Sequence, residues 1–544
     1  MTETEKTFLK YSILLVGLLL ARWWKKRIAN RADDSHKTDL QPRDVILSTT
    51  NRSIGRARRI DSQAQVETSS SPTVIAEAPM LITVDTTLSD SNVSSTSAAS
   101  AEIDNQEMSL DVPAVIKRRD PLEVQSLVAD ILGAVLSKSN NVFVQSSSVE
   151  FLFEFVDSFS AHSKLSYVLL TQHADTAFLF GGCRIHDFFR FQEDSALRQQ
   201  NLKRPRLRET LEHVDAFLVA AIEDVSPETL DAMDWSLRRT LDNESPFGGK
   251  RVILLGNAFN SQRKFSAVNI DRLRTQYAST YFYSSESYTA ADFDYISADN
   301  IGQQINPQDH SILLRAASGP LNDDDILSIN RLATSTDQTS IIVVSSPHAA
   351  DAENNNTFQR LRRKRYEFAA TYIEGEHQVL SGLAAQLLTI SIGARVLLLN
   401  NDPSGSWHRG STGIVKEIEE SNVRVALDGG SLVTVQPIEW TQYTWKYDLL
   451  HNQMERVPYA RIRQLPISLG YAIASSDVRY MTLHSAHINL QVGKLSSPGE
   501  LYQVLNSVTS LRNLTVDQKL KSSDFVPTGF RSPSTIQNAP ASFV

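Results

Sequence analysis

Cysteine is nearly absent: Cys183 is the only one in 544 residues. No internal disulfide can form, and no cysteine-rich zinc site can be built. The twelve histidines show neither HExxH nor another paired-ligand spacing, so no metal site is expected from the chain's own side chains. Positive charge is not in excess either. The net charge is −8 and the pI about 5.9, whereas nucleic-acid binders tend to be basic. That total still leaves room for a local basic groove. Long apolar runs are scarce. Tyr11–Ala21, extended to Phe8–Trp24, would span ~25 Å as a helix, short of the ~30 Å of a bilayer core. Lys10 and Arg22 could snorkel and Trp23 and Trp24 could sit at the interface. The positive charges follow the run, which keeps the bulk of the chain on the cytoplasmic or matrix side. A secretory signal carries them before it. The stretch through Arg59 is rich in Arg and Ser but contains Asp, an imperfect mitochondrial presequence. Residues 1–27 are therefore expected to anchor or target the chain.

What is present is ordinary globular material, 41% hydrophobic and 21% charged, enough for three or four domains. Residues 28–115 are polar and, at Leu88–Ser100, of low complexity. They bury too little apolar surface to offset ordering entropy and are read as a disordered linker. From Asp120 the pattern changes. Val124, Leu127, Val128, Ile131, Leu132 and Val135 recur at helical spacing. Four apolar strand-like runs follow: Asn141–Gln145, Leu165–Thr171, Phe217–Ile222 and Arg251–Gly256. Helical patterns lie between them, such as Leu230, Met233, Leu237 and Leu241 on one face. This alternation predicts a parallel α/β sheet, and Ile341–Val344 opens a similar region. Residues 393–440 break the rhythm with short strands separated by Gly, Asn and Asp turns, the pattern of a small β-barrel-like insert.

Several segments carry a resemblance. Asn141–Val144 looks like a strand leading into a P-loop, and Gly181–Phe189 (GGCRIHDFF) is similar to a GGxTIHSFF segment. Leu230–Asp234, Arg238-Arg239 and Pro246–Gly249 follow in order. Then come Ile392–Asp402 with Gly410–Val415, Gln464–Ala472, Pro498–Tyr502 and Val508–Leu511. In this order and spacing, over about 120–522, they resemble the Pif-type (RecD-like, superfamily 1B) DNA helicases. The resemblance implies two RecA-like P-loop-NTPase-type domains with an SH3-like β insert. The expected division is 116–265 for the first RecA-like domain, 266–392 and 464–522 for the second, 393–463 for the insert, and 523–544 for a flexible tail.

The family uses ATP and magnesium, but the residues that do so are replaced. A P-loop needs glycines, a Lys for phosphate and a Ser/Thr for magnesium. Here it reads Gln145, Ser146, Ser147, Ser148, Val149 and Glu150 through Glu154, with Leu152 at the lysine position and Phe153 at the hydroxyl position. Ser146–Ser148 are expected simply to cap a helix. The Asp and Glu of the next motif correspond to Ala220 and Ala221. Glu223-Asp224 offers a competing register that displaces both carboxylates by ~10 Å along an extended chain; a solvated strand end is its expected role. Asn260 stands where a Gln meets the γ-phosphate, Ser476–Tyr480 replaces HKSQG, and Asn506-Ser507 replaces the Ser-Arg that supplies an arginine finger, leaving Ser507 at the Arg position. Such a finger contributes ~10³–10⁵ in rate. Losing Lys, Asp, Glu and Arg together leaves no route to hydrolysis, so neither catalysis nor a bound nucleotide cofactor is expected.

The resemblance further implies single-stranded DNA crossing the RecA-like domains by backbone contacts and stacking. Candidate remnants are His186, Phe189, Trp407, Arg409 and Arg479, together with Arg362 and Arg363 in the basic run Arg360–Arg365. Three readings stay open: a nucleic-acid-binding or scaffold component of DNA replication or maintenance, a membrane-tethered interaction protein without DNA binding, and a helicase with rearranged nucleotide chemistry. Divergent Pif-type paralogues are multiplied in kinetoplastid protists, many working on mitochondrial kinetoplast DNA, and the N-terminus leads us to expect a mitochondrial location.

Overall fold

The computed structural model describes residues 82–83, 121–192, 196–197, 200–299, 306–332, 340–375, 384–451 and 453–532. Among them no helix is long and apolar enough to cross a membrane. The apolar segment 1–27 lies outside the described residues, as does the expected linker apart from Ile82–Thr83, which pair antiparallel with Tyr366 and Glu367.

The first lobe is a six-stranded parallel sheet. Its order is Cys183–Arg184, Tyr167–Thr171, Ala216–Ala220, Arg251–Gly256, Val142–Gln145 and Asp294–Ser297. The four central strands are nearly all buried, which is why they read as unbroken apolar runs and not as alternating ones. Helix Pro121–Leu136 lays Val124, Val128, Ile131, Leu132 and Val135 against the sheet. The last strand corrects the boundary placed at 265. Asp294–Ser297 pairs with Val142–Gln145, so the first lobe runs on to at least Ser297; its half-exposed, partly polar residues hid it from a search for apolar runs.

The second lobe is a four-stranded parallel sheet in the order Ala472–Ala474, Ile341–Val344, Ala486–Ile488, Leu514–Val516. Two RecA-like sheets are thus present. Between their segments stands the SH3-like insert, an antiparallel sheet of Leu432–Val435, Val423–Leu427, Thr412–Ile418, Arg395–Leu398 and Ile467–Leu469. Its core is Val396, Leu398, Val415, Val423, Val425 and Val435. Buried Arg395 donates to Asp428, tying one strand to the turn beyond its neighbours. The insert therefore closes at Ile467–Leu469, past the expected limit of 463.

A long hairpin, Ile438–Asp448 with Gln453–Gln464, leaves the insert and lies on the first lobe. Gln442 Nε2 donates to Ala174 O at 2.9 Å, Arg456 Nη1 to Gly181 O at 2.7 Å, and Tyr459 OH to Asp187 Oδ2 at 2.7 Å. The rings of His213 and Tyr447 stack at 3.7 Å. The expected flexible tail is also corrected over its described part. Phe525 and Phe530 are buried, and Phe530 packs edge-on to Phe143 at 5.6 Å and against Tyr295 at 5.9 Å. Two large aromatics in a short polar stretch drive that docking.

Candidate functional site

The segment expected to replace a P-loop follows the central strand Val142–Gln145 and starts helix Val149–His162. Ser148 caps that helix, its Oγ accepting from Phe151 N–H. The first turn is thereby satisfied by the chain itself. Leu152, at the lysine position, is buried in the first lobe's core, and Phe153 packs on Phe180 at 4.9 Å. Gln145 is spent within the sheet: its Nε2 donates to Asn257 Oδ1 and its Oε1 accepts from Ala258 N–H, each at 2.9 Å. Glu150 is exposed on the helix's first turn.

Across from this loop, Ala220 ends the strand Ala216–Ala220 and Ala221 takes a left-handed conformation at φ 55°. That turn folds Ile222–Asp224 back into the molecule. Glu223 and Asp224 are fully buried, which corrects the expectation of a solvated strand end. Two carboxylates can be buried only if each finds partners. Glu223 accepts from Tyr480 OH at 2.6 Å, from Asn257 N–H at 3.1 Å and from Asn260 Nδ2 at 3.1 Å. Asp224 accepts from the Arg479 guanidinium, which also donates to Ser261 O at 3.1 Å, and Arg263 Nε stands 3.8 Å away. Burial pushes the Glu223 carboxyl up, with the neighbouring Asp224 charge adding to it. Burial alone would raise Asp224 too, but Arg479, with His173 and Arg263, holds it below the usual range.

Asn506, in helix Glu500–Asn506, closes the space from the other side by donating to Ser147 O at 2.9 Å. The Ser507 hydroxyl bonds back to Val504 O at 2.7 Å, and its carbonyl accepts from Leu483 N–H at 2.8 Å. What remains between Ser146, Leu152, Asn260, Tyr480 and Ser507 is about 20 Å³, room for about one water. Asn260 thus reaches a carboxylate of its own chain.

Beyond Arg479, Tyr480 and Met481, which border both spaces, the molecule is open. A cleft of about 710 Å³ runs between the lobes and the insert. Phe178 and Trp440, with ring centroids 4.5 Å apart, form part of one wall. Arg263, Arg409 and Arg479 line it along with Asp175 and Asp477. Arg263 pairs with Asp175, whose carboxyl would be raised by burial but is pulled down to about 2 by that guanidinium. Arg409 Nη1 donates to Leu399 O at 2.7 Å, and burial lowers its guanidinium to about 10.

The expected DNA contacts divide. Arg409 lines the cleft, and exposed Arg362 and Arg363 follow helix Pro347–Arg360 next to Arg365 at its rim. Arg479 also reaches the cleft but is engaged by buried Asp224, which corrects its reading as a phosphate contact. Phe189 is fully buried against Phe191 and Phe217 and has no face left for a base. His186, half-buried, meets Phe191 edge-on at 5.9 Å, away from the cleft. Trp407 belongs to a separate pocket of about 170 Å³ on the insert, with His408 and His484, its Nε1 donating to Asn400 Oδ1 at 3.3 Å. The sequence reading missed Tyr480, Asp175 and Arg263. Their signal was present in part: isolated charges flanking apolar strand ends need partners, although nothing local says which.

Among known proteins, no family model matches this chain. It is 21% identical over 363 residues to an ATP-dependent DNA helicase Pif1 of Bdellovibrio bacteriovorus, covering 64% of this chain and 76% of that one. To the human ATP-dependent DNA helicase PIF1 it is 22% identical over 352 residues, covering 62% of this chain and 52% of the human protein. In structure it is similar to Bacteroides sp Pif1 in complex with ADP-AlF4, with TM-score 0.67 and 20% identity over 74% of this chain and 94% of that one. Bacteroides Pif1 in complex with ADP-AlF3 and ssDNA superposes with TM-score 0.51 at 19% identity, over 76% and 95%.

Proposed function

We propose that the chain is a Pif-type helicase homologue that works without catalysis, holding single-stranded nucleic acid in a DNA replication or maintenance complex. One observation carries this reading. The nucleotide position has shrunk to about 20 Å³ and is filled by the chain's own side chains, while the neighbouring cleft keeps about 710 Å³. Hydrolysis needs a phosphate cradle, magnesium ligands and a positioned water. Here the cradle is a self-capped serine turn, the magnesium position is Ala220, and the nearby carboxylates are consumed by Tyr480 and Arg479.

The cleft offers what single strands need, a basic edge beside an aromatic wall. Arg409 and the exposed run Arg362–Arg365 supply charge, and half-buried Phe178, backed by buried Trp440, supplies the wall. Asp175 and Asp477 temper it, so binding is expected to be weak and salt-sensitive. The test is single-strand binding by the full chain across a salt series, alongside nucleotide binding. Replacing Arg362 and Arg363 by Ala should lower affinity and shallow the salt slope by about 1.4, at ~0.7 per phosphate contact. A flat salt response in the parent chain would leave only the reading as a membrane-tethered interaction protein. DNA-stimulated ATP turnover would restore the helicase reading. We further propose a mitochondrial location, supported by the apolar run Tyr11–Ala21 and the Arg- and Ser-rich stretch after it. A C-terminal fluorescent fusion retained in the secretory pathway would refute it.

A further inference from the structure

We propose that the chain carries an internal substitute for nucleotide, a buried latch that holds its two RecA-like lobes at one separation without any ligand. The latch has three ties, each joining elements of different sheets. Glu223 follows strand Ala216–Ala220 of the first sheet, and Tyr480 follows strand Ala472–Ala474 of the second; they meet at 2.6 Å. Asp224 and Arg479 stand beside them and form an ion pair with both side chains almost wholly buried. Asn506, on the helix packed with the second lobe, reaches Ser147 O in the former P-loop at 2.9 Å.

The chemistry of this arrangement resembles a ligand's. A carboxylate sits between the lobes as an anionic centre, held by a hydroxyl and an amide from two sides and a backbone N–H. A phosphate would need the same kind of partners. The difference is that this anion is covalently part of the first lobe and cannot leave. Parting the lobes would strip Arg479 from Asp224 and Tyr480 from Glu223 inside a water-poor interface, and breaking one partner of a buried pair is strongly unfavourable. No product release exists to relieve it. The closed spacing is therefore a permanent state and not a step in a cycle, and the cleft above it keeps a constant width. This inference rests on the reading of an abandoned nucleotide site, and it adds that the site has been converted into a fastener.

The experiment measures lobe separation in the full chain by pulsed electron spin resonance. Spin labels go on Ser126→Cys in helix Pro121–Leu136 and Ala352→Cys in helix Pro347–Arg360, both exposed, in a Cys183→Ala background. The parent should give one narrow distance distribution, unchanged by magnesium with ADP or a non-hydrolysable ATP analogue. The double variant Tyr480→Phe, Arg479→Met should broaden it at least twofold while circular dichroism still reports folded lobes. A broad distribution in the parent overturns the latch, as does narrowing on addition of nucleotide. A folded double variant that keeps the narrow distribution does so too. Nucleotide binding that leaves the distance unchanged defeats the abandoned-site reading alone and supports the latch. A broad parent that binds no nucleotide defeats the latch alone.

Discussion

Replacing Arg479 by Met removes the guanidinium of a side chain that is 2% exposed from an Asp224 that is fully buried. The expected loss can be worked from the surroundings. At ~4 Å and an effective dielectric of ~20, two unit charges attract by ~4 kcal/mol, and deleting one partner of a buried pair costs ~3–5 kcal/mol. Two features decide where in that range this pair falls. The Arg479 donation to Ser261 O at 3.1 Å is lost as well. Against that, Arg263 Nε lies 3.8 Å from the other Asp224 oxygen, so the carboxylate is not wholly abandoned. Arg263 is already committed to Asp175, so its help is partial. The loss should be about 3 kcal/mol. Asp224→Asn in the same background should recover part of it, since the uncompensated charge goes, giving a coupling of at least ~1 kcal/mol in the cycle. The assay is urea unfolding of the full chain at pH 7, followed by tryptophan fluorescence and circular dichroism, with all four members compared on the first transition. A loss below ~1 kcal/mol, or additive single effects, would show that the pair is not the closed, desolvated contact described here.

Asp175 gives a pH prediction. Its folded carboxyl lies at about 2 against an ordinary 3.8, so the Arg263 contact stabilises fully above pH ~4 and fades as pH falls towards 2. The stability gap between the parent chain and Arg263→Met should therefore narrow over that window; a gap that stays constant refutes the assignment. Phe530→Ala should cost ~3–5 kcal/mol in the first lobe, despite its place far along the chain, and proteolysis of the first lobe should speed up in step. Gly413→Ala would set a Cβ 2.4 Å from Ala426 O in the neighbouring strand, so the insert should lose ~1–3 kcal/mol, read by hydrogen exchange on Thr412–Ile418.

The framework was legible because its signals are local. Val142–Gln145 and Arg251–Gly256 are buried on both faces, so their composition alone marks them. Helix Pro227–Leu241 opens with a Ser226 cap and Pro227 at its first turn. Ser148 caps its helix as expected. The latch was not, for a physical reason. Whether Glu223 and Asp224 face water or protein depends on one left-handed residue, Ala221, and alanine carries no turn preference that would announce it. Arg479 read as a phosphate contact because its partner lies 255 residues earlier. Tyr480 sat in view inside a quoted motif without a role, since a tyrosine's hydrogen-bond partner is a matter of tertiary packing. Phe189 was named for stacking on its chemical type, and burial overrode type.

Phe530, described above as a packing residue, also has a consequence for how the chain is made. Its ring completes a group with Phe143, Phe282 and Tyr295, and Thr528 Oγ1 donates to Ala258 O at 2.9 Å. During synthesis the first lobe's strands emerge early and would ordinarily fold as a unit before the rest arrives. Here that unit lacks a piece that is translated more than two hundred residues after its last strand. At ~5–20 residues per second, the gap between Tyr295 and Phe530 amounts to ~10–50 s in which an apolar notch is open to chaperones. A nascent chain stalled after residue 500 should accordingly hold chaperone longer than one released at its end, and the closing of the tail marks the moment at which the molecule becomes independent of it.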